Sequence, residues 1–134
     1  MESDSQQILK EIQKYPKMAD LPVSKYAEED GLADNFILAM KQSKKELKAT
    51  QLRKFFHQIK HLQHEVKRSN TFDRLQVASM MPILAYAVGR DLIPKDFYEL
   101  MKLCFGQQRC QTKEDFLSSA NFLEAVMAYH KYRS

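Results

Sequence analysis

A chain of 134 residues with 44% hydrophobic side chains is long enough for one domain with a sizeable core, and three glycines and four prolines are too few for the many turns of a sandwich or barrel. Its 21 Lys and Arg against 17 Asp and Glu give a net charge of +4. No stretch alternates at period two, the longest nearly apolar run (residues 77–88) is too short to span a membrane, and the polar start lacks the apolar region of a signal peptide, so a cytoplasmic, all-α bundle of five to six helices in a single domain is expected.

The first segment places Ile8, Leu9 and Ile12 on one face, takes Ser3 or Asp4 as N-cap and ends before Pro16, leaving residues 1–20 as a short helix whose mobility the sequence leaves open. After a connector at residues 15–22, Ser24 is the candidate cap of a second helix. Its buried side carries Tyr26, Ala27, Ala33, Phe36, Ile37 and Met40, although Gly31 weakens the early turns. Residues 44–68 then dominate the chain. Leu52, Phe55, Phe56, Ile59, Leu62 and Val66 recur at steps of three and four and form an apolar stripe, while Arg53, His57, Lys60, His64, Lys67 and Arg68 form a basic stripe beside it. This window holds eight Lys or Arg against Glu46 and Glu65, a local charge of +6, so the rest of the chain is net −2. Such concentration suits a polyanion-binding face, and equally an ordinary solvated one.

Thr50 or a neighbour opens this helix in the sequence reading; residues 69–71, Ser-Asn-Thr, close it and offer a cap for the next, which starts near Phe72. Pro82 must kink or restart that helix, since proline has no N–H for the carbonyl of Ala78. Residues 83–88 are apolar on every side, so this piece is expected in the middle of the domain with Tyr86 buried. Tyr86→Ala would then cost about 2 to 4 kcal/mol. Gly89 suits a left-handed C-cap, after which Arg90 emerges to complement the helix dipole or to touch a phosphate. Pro94 fits the first turn of a further helix that turns Phe97, Leu100, Met101 and Cys104 inward and ends near Gly106. Thr112 and Asp115 form a capping box for the last helix, whose broad buried face holds Phe116, Phe122, Leu123, Val126, Met127, Tyr129 and a packed, hydrogen-bonded His130.

Recognisable catalytic chemistry is lacking. There is no Gly-rich phosphate loop, no positioned nucleophile with its base and no acid cluster for a metal; residues 28–30 and Glu114 with Asp115 fall near helix starts, where acids complement the dipole. Cys104 and Cys110 match no metal pattern and are expected as reduced packing residues. His57, His61 and His64 share neighbouring turns without an HExxH motif or a carboxylate partner, which favours polar contact or pH-sensitive charge on the basic face over metal binding. Neither a cofactor nor a metal is expected.

Three blocks carry a resemblance: Gln51-Leu52-Arg53-Lys54-Phe55, then Leu84-Ala85-Tyr86-Ala87-Val88-Gly89-Arg90, then Asn121-Phe122-Leu123-Glu124-Ala125-Val126 through Ala128-Tyr129-His130-Lys131. In order and spacing across residues 51–131 they resemble the small subunit of type III-A CRISPR-Cas (Csm) effector complexes of antiviral defence; the first fifty residues match nothing reliable, and the Lys48-Ala49-Thr50 stretch departs from the Ser/Thr-richer start usual in that family. The resemblance implies a helical subunit that stacks in several copies along crRNA and target RNA and is not the nuclease, since a backbone subunit cleaves RNA and a Cas10-type large subunit carries the DNase and cyclic-oligoadenylate activities. It also implies partners among those subunits, self-association along the filament or as a dimer, and no membrane. Gln51, Arg53, Lys54 and Arg90 are the RNA contacts carried over by motif, and the last block implies core and subunit contact. His57, Lys60 and Lys67 are added from the helical wheel alone. Charge and shape readout suits a subunit that must accept any guide sequence, and the inward aromatics of the basic helix argue against single-strand stacking platforms. A helix-turn-helix DNA binder and a protein adaptor with a basic face remain alternatives.

Overall fold

The computed structural model describes residues 4–45 and 47–134, and all regular structure among them is helical. Seven α-helices follow in order: α1 (Asp4–Gln13), α2 (Leu32–Gln42), α3 (Ala49–Ser69), α4 (Arg74–Ala78), α5 (Met81–Gly89), α6 (Lys95–Phe105) and α7 (Lys113–Tyr132), with single 3-10 turns at Met18–Asp20 and Val23–Lys25. This is the expected all-α bundle, with the fourth expected helix divided into α4 and α5 because Pro82 sits in the first turn of α5 and restarts the helix after Ala78.

α7, and not the basic α3, is the hub: it packs against α2, the Met18–Asp20 turn, α3 and α6. Phe116, Ala120, Phe122, Leu123 and Val126 are wholly buried on it, and the buried faces of α2 (Phe36, Ile37, Met40) and α3 (Leu52, Phe55, Ile59, Leu62, Val66) join the same core. A chain of aromatic contacts runs through the centre. Phe72 stacks on Phe116 with centroids 5.1 Å apart. Phe116 leans on Phe105 at 6.2 Å, and Phe105 meets Phe55 edge-on at 6.1 Å. α1 lies on α2 and α6, burying Ile8 and Ile12, and the Ser5 hydroxyl donates to Asp96 over 2.5 Å. Cys104 and Cys110 are free and buried, and burial pushes the Cys110 thiol up to about 11.

The last helix opens on the expected capping box. Thr112 Oγ1 accepts from the Asp115 N–H at 3.1 Å, and the Asp115 carboxylate accepts back from the Thr112 N–H at 3.2 Å. Asp115 also accepts from the N–H groups of Gln111 (3.1 Å) and Ala19 (3.0 Å), so one buried carboxylate ties α7 to the Met18–Asp20 turn. Burial opposes its ionisation, but these backbone donors outweigh burial and hold the carboxyl below its ordinary range. The depressed pKa contributes stability above the unfolded carboxylate value, about 4, that is lost as pH falls through the folded value. Urea titrations below pH 5 should therefore show acid weakening that is smaller in Asp115→Asn; an unchanged pH profile in that variant would refute the role.

Several local expectations give way. Ser24 caps nothing; residues 23–25 make only a 3-10 turn, and α2 begins at Leu32 after Gly31, where a Cβ would lie 2.8 Å from the Glu28 carbonyl oxygen. α3 opens at Ala49, next to Thr50, with Lys48 at the N-cap position and no side-chain cap. α3 ends on Asn70 at φ 57°, as the Ser-Asn-Thr stop suggested, but Asp73 caps α4 by accepting from the Leu75 N–H. Gly89 is not a left-handed cap, because the left-handed residue after α5 is Asp91, at φ 61°. The Ser3 alternative for the first cap lies outside the described residues.

The largest correction concerns α5. Only Leu84 and Ala87 are buried on it, whereas Tyr86 is 65% exposed. Tyr86→Ala should then leave stability within about 0.5 kcal/mol of the parent, instead of the 2 to 4 kcal/mol expected from all-round hydrophobicity.

Candidate nucleic-acid interface

α3 buries Leu52, Phe55, Ile59, Leu62, Gln63 and Val66 and turns Arg53, Lys54, His57, His61, His64, Lys67 and Arg68 outward. The helical period does this directly, since the exposed set lies opposite the buried stripe. Arg68 pairs with Glu65 at 2.7 Å. Arg53, Lys54 and Lys67 have no salt bridge or side-chain hydrogen bond among the described residues, so their charge is offered to solvent.

Two clefts fix how α5 lies along α3. One is lined by His57, Gln58 and His61 with Ser79, Met80 and Ile83; the other brings Lys44, Lys45 and Lys48 against Asp91, Ile93, Pro94, Lys95 and Asp96. The start of α5 therefore neighbours the middle of α3, and its end neighbours the start of α3, an antiparallel pair. Arg90, the residue after α5, is carried to the end of α3 that bears Gln51, Arg53 and Lys54. Its guanidinium lies 5.8 Å from the Tyr86 ring centroid, and Nη1 donates to the Tyr86 hydroxyl at 3.3 Å.

The sequence-predicted residues divide accordingly. Arg53, Lys54, His57 and Arg90 are exposed and Gln51 is half-buried; of these, His57 lines the cleft between α3 and the start of α5. Lys60 belongs to the opposite flank, where it pairs with Glu124 of α7 at 3.5 Å and lies 5.9 Å from the Phe56 centroid. Lys67 is exposed about two turns beyond Lys60. His57, His61 and His64 are all exposed, and the described residues contain no group of three or more His, Cys, Asp or Glu able to hold a metal ion. His130 is half-buried beside the start of α3, with Nε2 2.8 Å from the Leu47 carbonyl oxygen, and lines a cleft with Lys45 and Lys48. Lys44, Lys48 and Lys95, outside the basic stripe of the helical wheel, are exposed at the cleft by the start of α3. Two of these lie inside the +6 window, so charge counting held the signal; Lys95 is brought in only by the fold.

Carboxylates elsewhere serve structure. Asp34, wholly buried, accepts from Arg133 Nε at 2.9 Å and Nη2 at 2.7 Å and from the Asp30 N–H at 2.9 Å. The Arg133 hydrogen bonds hold the Asp34 carboxyl below its ordinary range. No helix among the described residues is long and apolar enough to cross a membrane.

Comparison with known families gives one result: the family model described as Csm2 Type III-A matches residues 24–134. The match starts well before residue 51, so α2 belongs to the shared pattern although the first fifty residues carry no readable motif. No curated protein and no solved structure matches the chain significantly.

Proposed function

Since the chain belongs to the Csm2 Type III-A family, the small subunits of type III-A CRISPR-Cas complexes, we propose that it is a non-catalytic subunit that holds crRNA and target RNA by their backbones. Arg53, Lys54 and His57 of α3, with Gln51, Arg90 and the lysines at the start of α3, form the contact. The observation that carries this reading is the group of exposed, unpaired cations on α3 that antiparallel α5 extends with Arg90. Such a face recognises phosphates and sugars without reading base edges, as a subunit serving any guide must. Lys67 extends the strip along α3, whereas Lys60 is partly neutralised by Glu124 and contributes less. A single copy binds weakly; several copies on one RNA, held by the other Csm subunits and by each other, bind tightly because later contacts become intramolecular.

Fluorescence anisotropy with single-stranded RNAs of unrelated sequence and with duplex DNA, from low to physiological salt, tests the proposal. Expected are similar affinities across RNA sequences and a log–log salt slope of about 0.7 per phosphate contact. Salt-independent binding, or a preference for one RNA sequence, would refute it. Purified protein with divalent metal should leave RNA intact; metal-dependent cleavage lost on replacing His57, His61 and His64 by alanine would overturn the non-catalytic role.

A further inference from the structure

We propose that Tyr86 is a stacking platform for an unpaired nucleobase, set into the basic face beside Arg90; this rests on the RNA-backbone reading above and adds a contact to the base itself. The ring is 65% exposed, and the side chain that reaches it is Arg90, which leaves a π-face for a ligand. One turn earlier, Ile83 is 38% exposed and with Met80 gives the neighbouring groove an apolar side, against which His57, His61 and Gln58 of α3 stand.

Charge complementarity selects the occupant. No carboxylate lines this groove, and the Arg90 guanidinium lies beside the Tyr86 ring, so the face attracts an anion, while the exposed ring and Ile83 favour a flat apolar group. A nucleotide carries both in one unit: phosphate for the cations and a base for the ring. Because every base has a π-face, stacking here keeps binding independent of sequence. Arg90 then has two roles, meeting a phosphate and holding the phenol ring in place from one side.

The chain contains no tryptophan, so Tyr86→Trp installs a single indole reporter at the platform. Short single-stranded RNA should quench its emission, and an abasic ribose-phosphate oligomer of the same length should not. Tyr86→Ala should weaken RNA binding by about tenfold, with the salt slope unchanged because no charge is removed, and should bind the abasic oligomer as the parent does; Tyr86→Phe should retain most of the affinity. A Tyr86→Ala protein matching the parent on RNA, with the parent's salt slope intact, would overturn stacking while leaving the backbone reading in place. Absence of salt-dependent RNA binding by the parent would remove both. Unchanged RNA affinity combined with lost co-purification of the other Csm subunits would assign Tyr86 to a protein contact and overturn the proposal.

Discussion

Replacing Phe116 by alanine should lower the free energy of unfolding by about 3 to 5 kcal/mol. The side chain is fully buried and stands where two aromatic contacts meet, stacked on Phe72 and leaning on Phe105, which in turn meets Phe55 of α3. Truncation removes the transfer energy of the ring and leaves a cavity walled by rigid aromatics, which cannot collapse easily. For a domain of this size the loss corresponds to a melting temperature lower by roughly 10 to 20 °C, and it is a large part of the roughly 5 to 15 kcal/mol that holds such a fold together. Thermal and urea unfolding would measure it, with Tyr86→Ala as the control that should barely move. A Phe116→Ala protein melting within 3 °C of the parent would mean that the aromatic chain is not the centre of the core.

The second large effect is on binding. The triple variant Arg53→Ala, Lys54→Ala, Arg90→Ala should keep the parent's melting behaviour, since all three side chains are exposed and make no salt bridge. If each meets one phosphate, the slope of log affinity against log salt falls by about 2, which at 0.1 M salt amounts to roughly a hundredfold weaker RNA binding. The loss should be alike for RNAs of unrelated sequence. Anisotropy across a salt series gives both numbers. An unchanged slope, or a defect confined to one sequence, would show that these residues do not read the backbone. The signature differs from that of Tyr86→Ala, where affinity falls and the slope stays.

How much of this was legible in the sequence depends on the range of the cause. The capping box of Thr112 and Asp115 and the exposed face of α3 follow from spacings of three and four residues, so the sequence alone displayed them. Ser24 misled because a good cap residue does not make a helix when the following turns contain Gly31 and the chain has better tertiary partners for Tyr26. Tyr86 was misplaced for a different reason: a helix apolar all round signals that its surface needs cover, but not whether the same chain provides that cover. Lys60 lies in the basic stripe by spacing, yet its carboxylate partner, Glu124, is 64 residues away, a pairing that only the fold creates. The antiparallel register that brings Arg90 to the start of α3 is likewise a product of the restart at Pro82 and the turn at Asp91.

The clamp of Arg133 on Asp34 joins positions 99 residues apart. At about 5 to 20 residues per second, synthesis places roughly 5 to 20 s between the two. Throughout that interval the α2 carboxylate lacks its Arg133 partner, and burying it alone would be costly. The Ala19 N–H and the Ala27 carbonyl wait in the same way, for Asp115 and for the Tyr129 hydroxyl. The early third of the nascent chain therefore cannot lock ahead of the rest; it must stay pliant, with Phe36 and Ile37 uncovered, until α7 arrives to close it. Ribosome-stalled chains ending before residue 113 should accordingly remain open to protease within α2, and become resistant only after Arg133 has emerged.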